Sequence, residues 1–171
     1  MNCAVVSPCG TYRYLLHRDL ASAGVRGHVL WVMANPSTAD AYSDDPTVRR
    51  VRGFSLRWGF SSVAIVNVYA FRSFSPASLT AAHRAGIDVR GPHNSWHVMR
   101  AARAADRIIL AWGKVFSGEH WDESKSLVLR ALRQRAPSVP MYALGLTPGG
   151  APRHPLYLSY TAELTEYQEP R

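Results

Sequence analysis

Four polar loops in this 171-residue sequence each follow an apolar run, and they hold the side chains that could do chemistry. The first runs from Asn35-Pro36-Ser37-Thr38-Ala39-Asp40 to Asp44-Asp45-Pro46-Thr47 and is dense in short polar groups. The second starts with Asn67, an amide at the end of an apolar run, and continues through Tyr69, Phe71 and Arg72. The third is Ala111-Trp112-Gly113-Lys114, and the fourth, Gly145 to Leu158, wraps glycines and prolines around a single histidine, His154. Carboxylates can orient or deprotonate water, an amide can pair with the edge of a planar polar ring, and an imidazole can donate a proton or a hydrogen bond. Each group also has a structural use. Asp45 before Pro46 reads as a helix N-cap and therefore ranks behind Asp44 as an acid. Asn35 and Ser37 can close a turn, Asn67 can bind neighbouring backbone, and His154 can be an exposed loop histidine. No GxxxxGK[ST] phosphate loop, GxSxG elbow or dinucleotide fingerprint is present.

The elements that must hold these loops alternate strand and helix. Runs that are apolar almost throughout, His28 to Ala34, Ser62 to Val68, Arg107 to Trp112 and Val139 to Leu144, predict parallel strands covered on both faces, with a shorter edge strand at Thr11 to Leu16. Helical spacing of Val48, Val51, Ser55 and Trp58 up to Gly59 predicts a helix opened by Asp45-Pro46. Further helices are expected over Asn94 to Ala105 and Asp122 to Arg135, with a short one after Pro76. The order implies an α/β fold, a three-layer α/β/α sandwich with a central, mostly parallel sheet, formed as one domain over residues 1–171. Ligands of such sheets sit beyond the carboxyl ends of the strands, where all four loops fall.

Composition narrows the partners. With 47% apolar and 19% charged residues the chain can bury an ordinary core. Twenty Lys and Arg against twelve Asp and Glu give +8, nearly all of it Arg, since only Lys114 and Lys125 are lysines. Arginine offers a planar fork for phosphate, and the excess leans towards a polyanion; a GC-rich genome gives the same Lys-to-Arg bias. Arg49, Arg50, Arg52 and Arg57 share one helix and could form a basic face or a solvated one, while Arg72 beside the strand end is the better phosphate contact. Two cysteines, Cys3 and Cys9, are too few for a four-ligand metal site, and His93 and His97 lack a third ligand, so neither a metal nor another cofactor is expected. Trp58 and Trp112 read as core. No run is long enough to span a bilayer and Met1 to Gly10 lacks the order of a secretory signal, so the expectation is a cytoplasmic monomer away from membranes.

The motifs Asn35–Asp40 (NPSTAD), Asp44–Thr47 (DDPT), Asn67 with Arg72, Ala111–Gly113 (AWG) and His154–Leu158 (HPLYL) resemble the bacterial and phage family catalogued as domain of unknown function 1643. That resemblance covers most of the chain and carries no activity with it. The order of the motifs is also similar, more distantly, to that of the uracil-DNA glycosylase superfamily. There a proline-containing loop after the first core strand positions water, an Asn ends a later strand, and a His-Pro loop follows the last strand. Ala34 and Ser37 flank Asn35-Pro36 where that superfamily has glycine, and the loop around His154 lacks its serines. Two cysteines exclude its iron–sulfur branch.

This second resemblance implies recognition of a nucleobase in DNA or a nucleotide, with or without cleavage of the N-glycosidic bond; an enzyme acting on a small nucleoside-like metabolite is the other alternative. Cleavage pushes negative charge onto the departing base and positive charge onto the sugar. His154 would donate to a base carbonyl, and Asn67 would pair with the Watson–Crick edge. Asn35, Asp40, Asp44 or Asp45 would orient water, and Tyr42 or Phe71 would stack on the base. Leu156 or Tyr157 would wedge into a duplex. Ser37, Arg49, Arg72 and Arg153 would meet phosphates.

Overall fold

The computed structural model describes residues 2–20 and 27–168. Seven strands, β1 (Cys3–Val6), β2 (Arg13–Asp19), β3 (His28–Met33), β4 (Ser62–Asn67), β5 (Arg107–Leu110), β6 (Met141–Ala143) and β7 (Thr165–Glu166), form one sheet in the order β1-β2-β4-β3-β5-β6-β7. β4, β3, β5 and β6 run parallel to one another, while the β1–β2 and β2–β4 pairings at one side and the β6–β7 pairing at the other are antiparallel. The parallel part is thus four strands of the seven.

Alternation along the buried strands sends side chains to two cores. Leu30 and Val32 of β3 pack with Val66, Ile108 and Leu110 under α2 (Pro76–Arg84), α3 (Asn94–Arg103) and α4 (Glu119–Arg135). Val29, Trp31 and Met33 of the same strand pack with Val63, Ile65 and Ile109 under α1 (Pro46–Arg57) and Leu158. Helices therefore cover both faces, as continuous apolar strands require. Trp31 buries its indole without stranding the N–H: Nε1 donates to Ser55 Oγ at 3.0 Å, and that hydroxyl donates to Val51 O at 2.8 Å.

Asp45 caps α1, its Oδ1 accepting from Val48 N at 2.8 Å, and Pro46 supplies a first-turn residue with no N–H to satisfy. The chain beyond the His154 loop is fastened to the same helix. Tyr160 lies over Gly53, where an added Cβ would collide with the phenol ring, and the Arg50 guanidinium sits 3.8 Å from the Tyr160 ring centroid while donating to Leu158 O.

Several boundaries differ from the sequence expectation: β5 ends at Leu110 rather than Trp112, β6 is Met141–Ala143 rather than Val139 to Leu144, and α3 ends at Arg103 rather than Ala105. The strand expected at the edge over Thr11 to Leu16 is β2, displaced to Arg13–Asp19 and lying inside the sheet between β1 and β4. The edge belongs to β1, whose four residues are all half-buried and too short for a periodic signal. α4 starts three residues before Asp122, at Glu119. Among the described residues no helix is long and apolar enough to cross a membrane, and no cluster of three or more His, Cys, Asp or Glu could hold a metal.

Candidate functional site

The carboxyl ends of β3, β4 and β5 and the loop after β6 surround a cleft of about 510 Å³. Its walls include Asn35, Ser37, Asp45, Thr47, Asn67, Trp112 and His154, with Leu156 and Tyr157 beside the histidine. Side chains far apart in sequence, from Asn35 to Tyr157, thus share one space, because four parallel strands deliver their following loops to the same end.

Asn67 ends β4 and is 2% exposed. Its Oδ1 accepts from Arg13 NH2 at 3.3 Å. Since a guanidinium can only donate, this bond fixes the amide orientation and leaves Nδ2 as the group offered to the cleft. The backbone there is held by Asn94, whose Nδ2 donates to Asn67 O at 2.9 Å and Val68 O at 3.1 Å.

His154 stands at the start of the short 3-10 turn Pro155–Tyr157, and its Nδ1 accepts from Leu156 N at 3.3 Å. With Nδ1 an acceptor, the neutral ring carries its proton on Nε2. Burial pushes the imidazole below its ordinary pKa, and the Asp45 carboxylate offsets part of that. The ring is therefore a neutral N–H donor at pH 7. If a neutral His154 is the active form, a pH–rate profile should stay flat down to about pH 6.5, the ordinary histidine value, and fall only on further acidification. A fall beginning above pH 7 would contradict this.

Gly113 makes room for that ring. It adopts φ +70°, donates N–H to Pro152 O at 2.8 Å, and a Cβ there would lie 3.2 Å from His154 Cβ. Gly113→Ala should cost about 1–2 kcal/mol in stability from the left-handed backbone alone. It should also displace the imidazole, read as a shifted His154 resonance by NMR; an unmoved resonance would contradict the positioning role.

The other residues expected at the site divide clearly. Asn35 is on the wall, but its Nδ2 donates to Pro36 O and Ser73 O, both at 3.2 Å, so it braces two loops. Asp45 caps α1 through one oxygen and also lines the cleft, so capping does not remove it from the wall. Asp40 is outside the lining; its Oδ1 accepts from Tyr42 N at 2.8 Å and Ser43 N at 2.9 Å, bonds that lower its pKa and close a turn. Asp44 is outside too, paired with Arg18 Nε at 2.8 Å and Arg52 NH1 at 2.6 Å.

Tyr42 is 98% exposed and away from the cleft, and Phe71 packs edge-on against Tyr12, so neither is placed to stack on a ring inside it. Arg72 donates to Gly10 O at 3.2 Å, and neither it nor exposed Arg153 lines the cleft. The basic face on α1 is largely spent internally: Arg49 donates to Asp44 O at 2.5 Å, Arg50 to Leu158 O and Arg52 to Asp44. Trp58 stacks on Trp31 in the core, whereas buried Trp112 also forms cleft wall.

Sequence reasoning missed Arg13, Thr47, Ser73, Phe74 and Ser75, all of which line the cleft. Arg13 had a weak signal at most, a charged residue just before the short apolar run Tyr14-Leu15-Leu16. Phe74 and Tyr157, 85% and 90% exposed, form an aromatic rim at the mouth.

A family described as a protein of unknown function (DUF1643) matches residues 13–156, a span that begins at Arg13 and contains the first three loops and the fourth as far as Leu156. No curated protein and no solved structure matches the chain.

Proposed function

We propose, for a chain that belongs to the DUF1643 family, that the cleft recognises a nucleobase and acts on the N-glycosidic bond that carries it, in DNA or in a nucleotide, in the manner of the uracil-DNA glycosylase superfamily. The observation that carries this reading is the convergence of Asn67 Nδ2, the neutral His154 and the Asp45 carboxylate on one cleft beside Trp112. Bond cleavage separates charge: the base gains electrons and the sugar loses them. Donors at Asn67 and His154 would meet the negative end. Asp45, with one oxygen capping α1 and the other available, would orient water or face the electron-poor sugar. The exposed rings of Phe74 and Tyr157 at the mouth suit flanking bases of a strand.

One observation favours a second reading, a binder that does not cut. Two of the three carboxylates that could activate water are consumed elsewhere, Asp40 by backbone amides and Asp44 by arginines, and Asp45 is partly committed to its helix. Single- and double-stranded oligonucleotides, each carrying one deaminated or oxidised base, separate the two readings when free base and abasic sites are followed together. Base release supports the enzyme. Retention of the oligonucleotide with no release supports the binder, and indifference to polymer with turnover of a nucleoside contradicts both.

A further inference from the structure

Arg13 is 3% exposed, yet its guanidinium meets only neutral acceptors: NH1 donates to Ala39 O at 3.0 Å and NH2 to Asn67 Oδ1 at 3.3 Å. Its Nε is buried and has no partner among the described residues. Arg18, on the same strand and equally buried, shows the usual solution, a carboxylate at 2.8 Å. A buried cation held only by neutral groups is costly, and a charge arriving with a ligand would offset that cost. Arg13 lines the cleft, so a ligand can reach it. Burial lowers its pKa to about 10, which still leaves it charged at neutral pH. The charged groups acting on it are Asp45, which favours its protonation, and Arg72 and Arg18, which oppose it.

The surroundings point the same way. The N-terminus of the nine-residue α2 opens on the cleft through Ser73, Ser75 and Pro76, with a neutral Ser75 cap and no acidic residue in its first turn. The positive end of its dipole is therefore unmasked. Asn67, turned to offer N–H, and His154, protonated on Nε2, add donors beside Arg13, whereas Asp45 on the wall of α1 is an acceptor.

We infer that the cleft takes an anionic oxo-heterocycle, whose ring oxygens, carrying the delocalised negative charge, face Arg13, Asn67 Nδ2 and His154 Nε2, and that rings bearing an exocyclic amine on that edge are poor ligands. The inference deepens the nucleobase reading and rests on it. An amine would set donor against donor and strand the protein groups unpaired, whereas acceptors satisfy them.

Calorimetric titration of the full chain with barbituric acid, an anion at neutral pH, with uracil, its uncharged relative, and with cytosine tests this. Barbituric acid should bind about tenfold or more tighter than uracil, the range expected of a hydrogen bond gaining full charge, and cytosine should bind weakest. Arg13→Gln should bring barbituric acid and uracil to within about threefold of each other, and Arg13→Lys, which keeps the charge, should preserve most of the preference. The wild-type ranking needs no variant, so the test stands even where Arg13→Gln fails to fold. Equal binding of charged and neutral rings, or a preference that survives in folded Arg13→Gln, overturns the inference and leaves the nucleobase reading intact. Binding of inorganic phosphate but of no ring overturns both.

Discussion

His154→Leu is expected to slow base release by about 10²- to 10³-fold while changing affinity for the free base by no more than about threefold. The magnitude is that of removing one preorganised donor from a site where negative charge develops. The asymmetry follows from the chemistry: a neutral base carbonyl gains little from one more donor, but the same oxygen in the departing base carries part of a negative charge. His154 is suited to this because Leu156 N fixes its tautomer and burial keeps the ring neutral. Single-turnover base release measured beside equilibrium binding separates the two effects. A parallel loss of rate and affinity would make His154 a ground-state contact, and an unchanged rate would remove it from the chemistry.

Asp44→Ala is expected to unfold the protein more readily and to leave the cleft's chemistry alone. Arg18 is 2% exposed, and without Asp44 its guanidinium keeps only backbone carbonyls as partners. Stranding one member of a buried ion pair costs about 3–5 kcal/mol, which in a chain of this size lowers Tm by roughly 10 °C. The pH dependence has a definite sign. Burial pushes the Asp44 carboxyl up, but the hydrogen bonds and charges of Arg52 and Arg18 outweigh it and hold the pKa below the ordinary carboxylate value. Its contribution is therefore complete above about pH 4, the unfolded value, and is lost as pH falls through the lower folded value. Thermal melts of wild type and Asp44→Ala should thus differ at pH 7 and converge in strong acid. A variant with unchanged Tm and lost base release would return Asp44 to the catalytic role that its place in the first loop suggests.

How far the sequence alone reaches is visible in these two residues. His154 could be located because strand, helix and loop order follows from apolar runs and caps, and because a parallel sheet gathers its following loops at one end. The same logic brought Asn35, Ser37, Asn67, Leu156 and Tyr157 to the cleft. Asp44 and Asp40 could not be judged that way. Their partners, Arg18 and the amides of Tyr42 and Ser43, lie on another strand or depend on the φ and ψ of one turn, and composition is silent on both.

Arg13 was hidden for a related reason. β2 was expected at the edge, where a charged residue meets solvent. Pairing with Val6 of β1 on one side and a backbone bond to Ala70 O, just past β4, on the other enclose it, and its side chain reaches Asn67. β1 itself was invisible because four half-buried residues make no periodic pattern.

A crystal structure of the chain with a free nucleobase bound tests the central claim most directly. A planar ring should lie in the cleft beside Trp112, with ring oxygens within hydrogen-bond distance of Asn67 Nδ2 and His154 Nε2. A ring bound elsewhere on the molecule, or an imidazole turned out of the cleft while a ring occupies it, would contradict it.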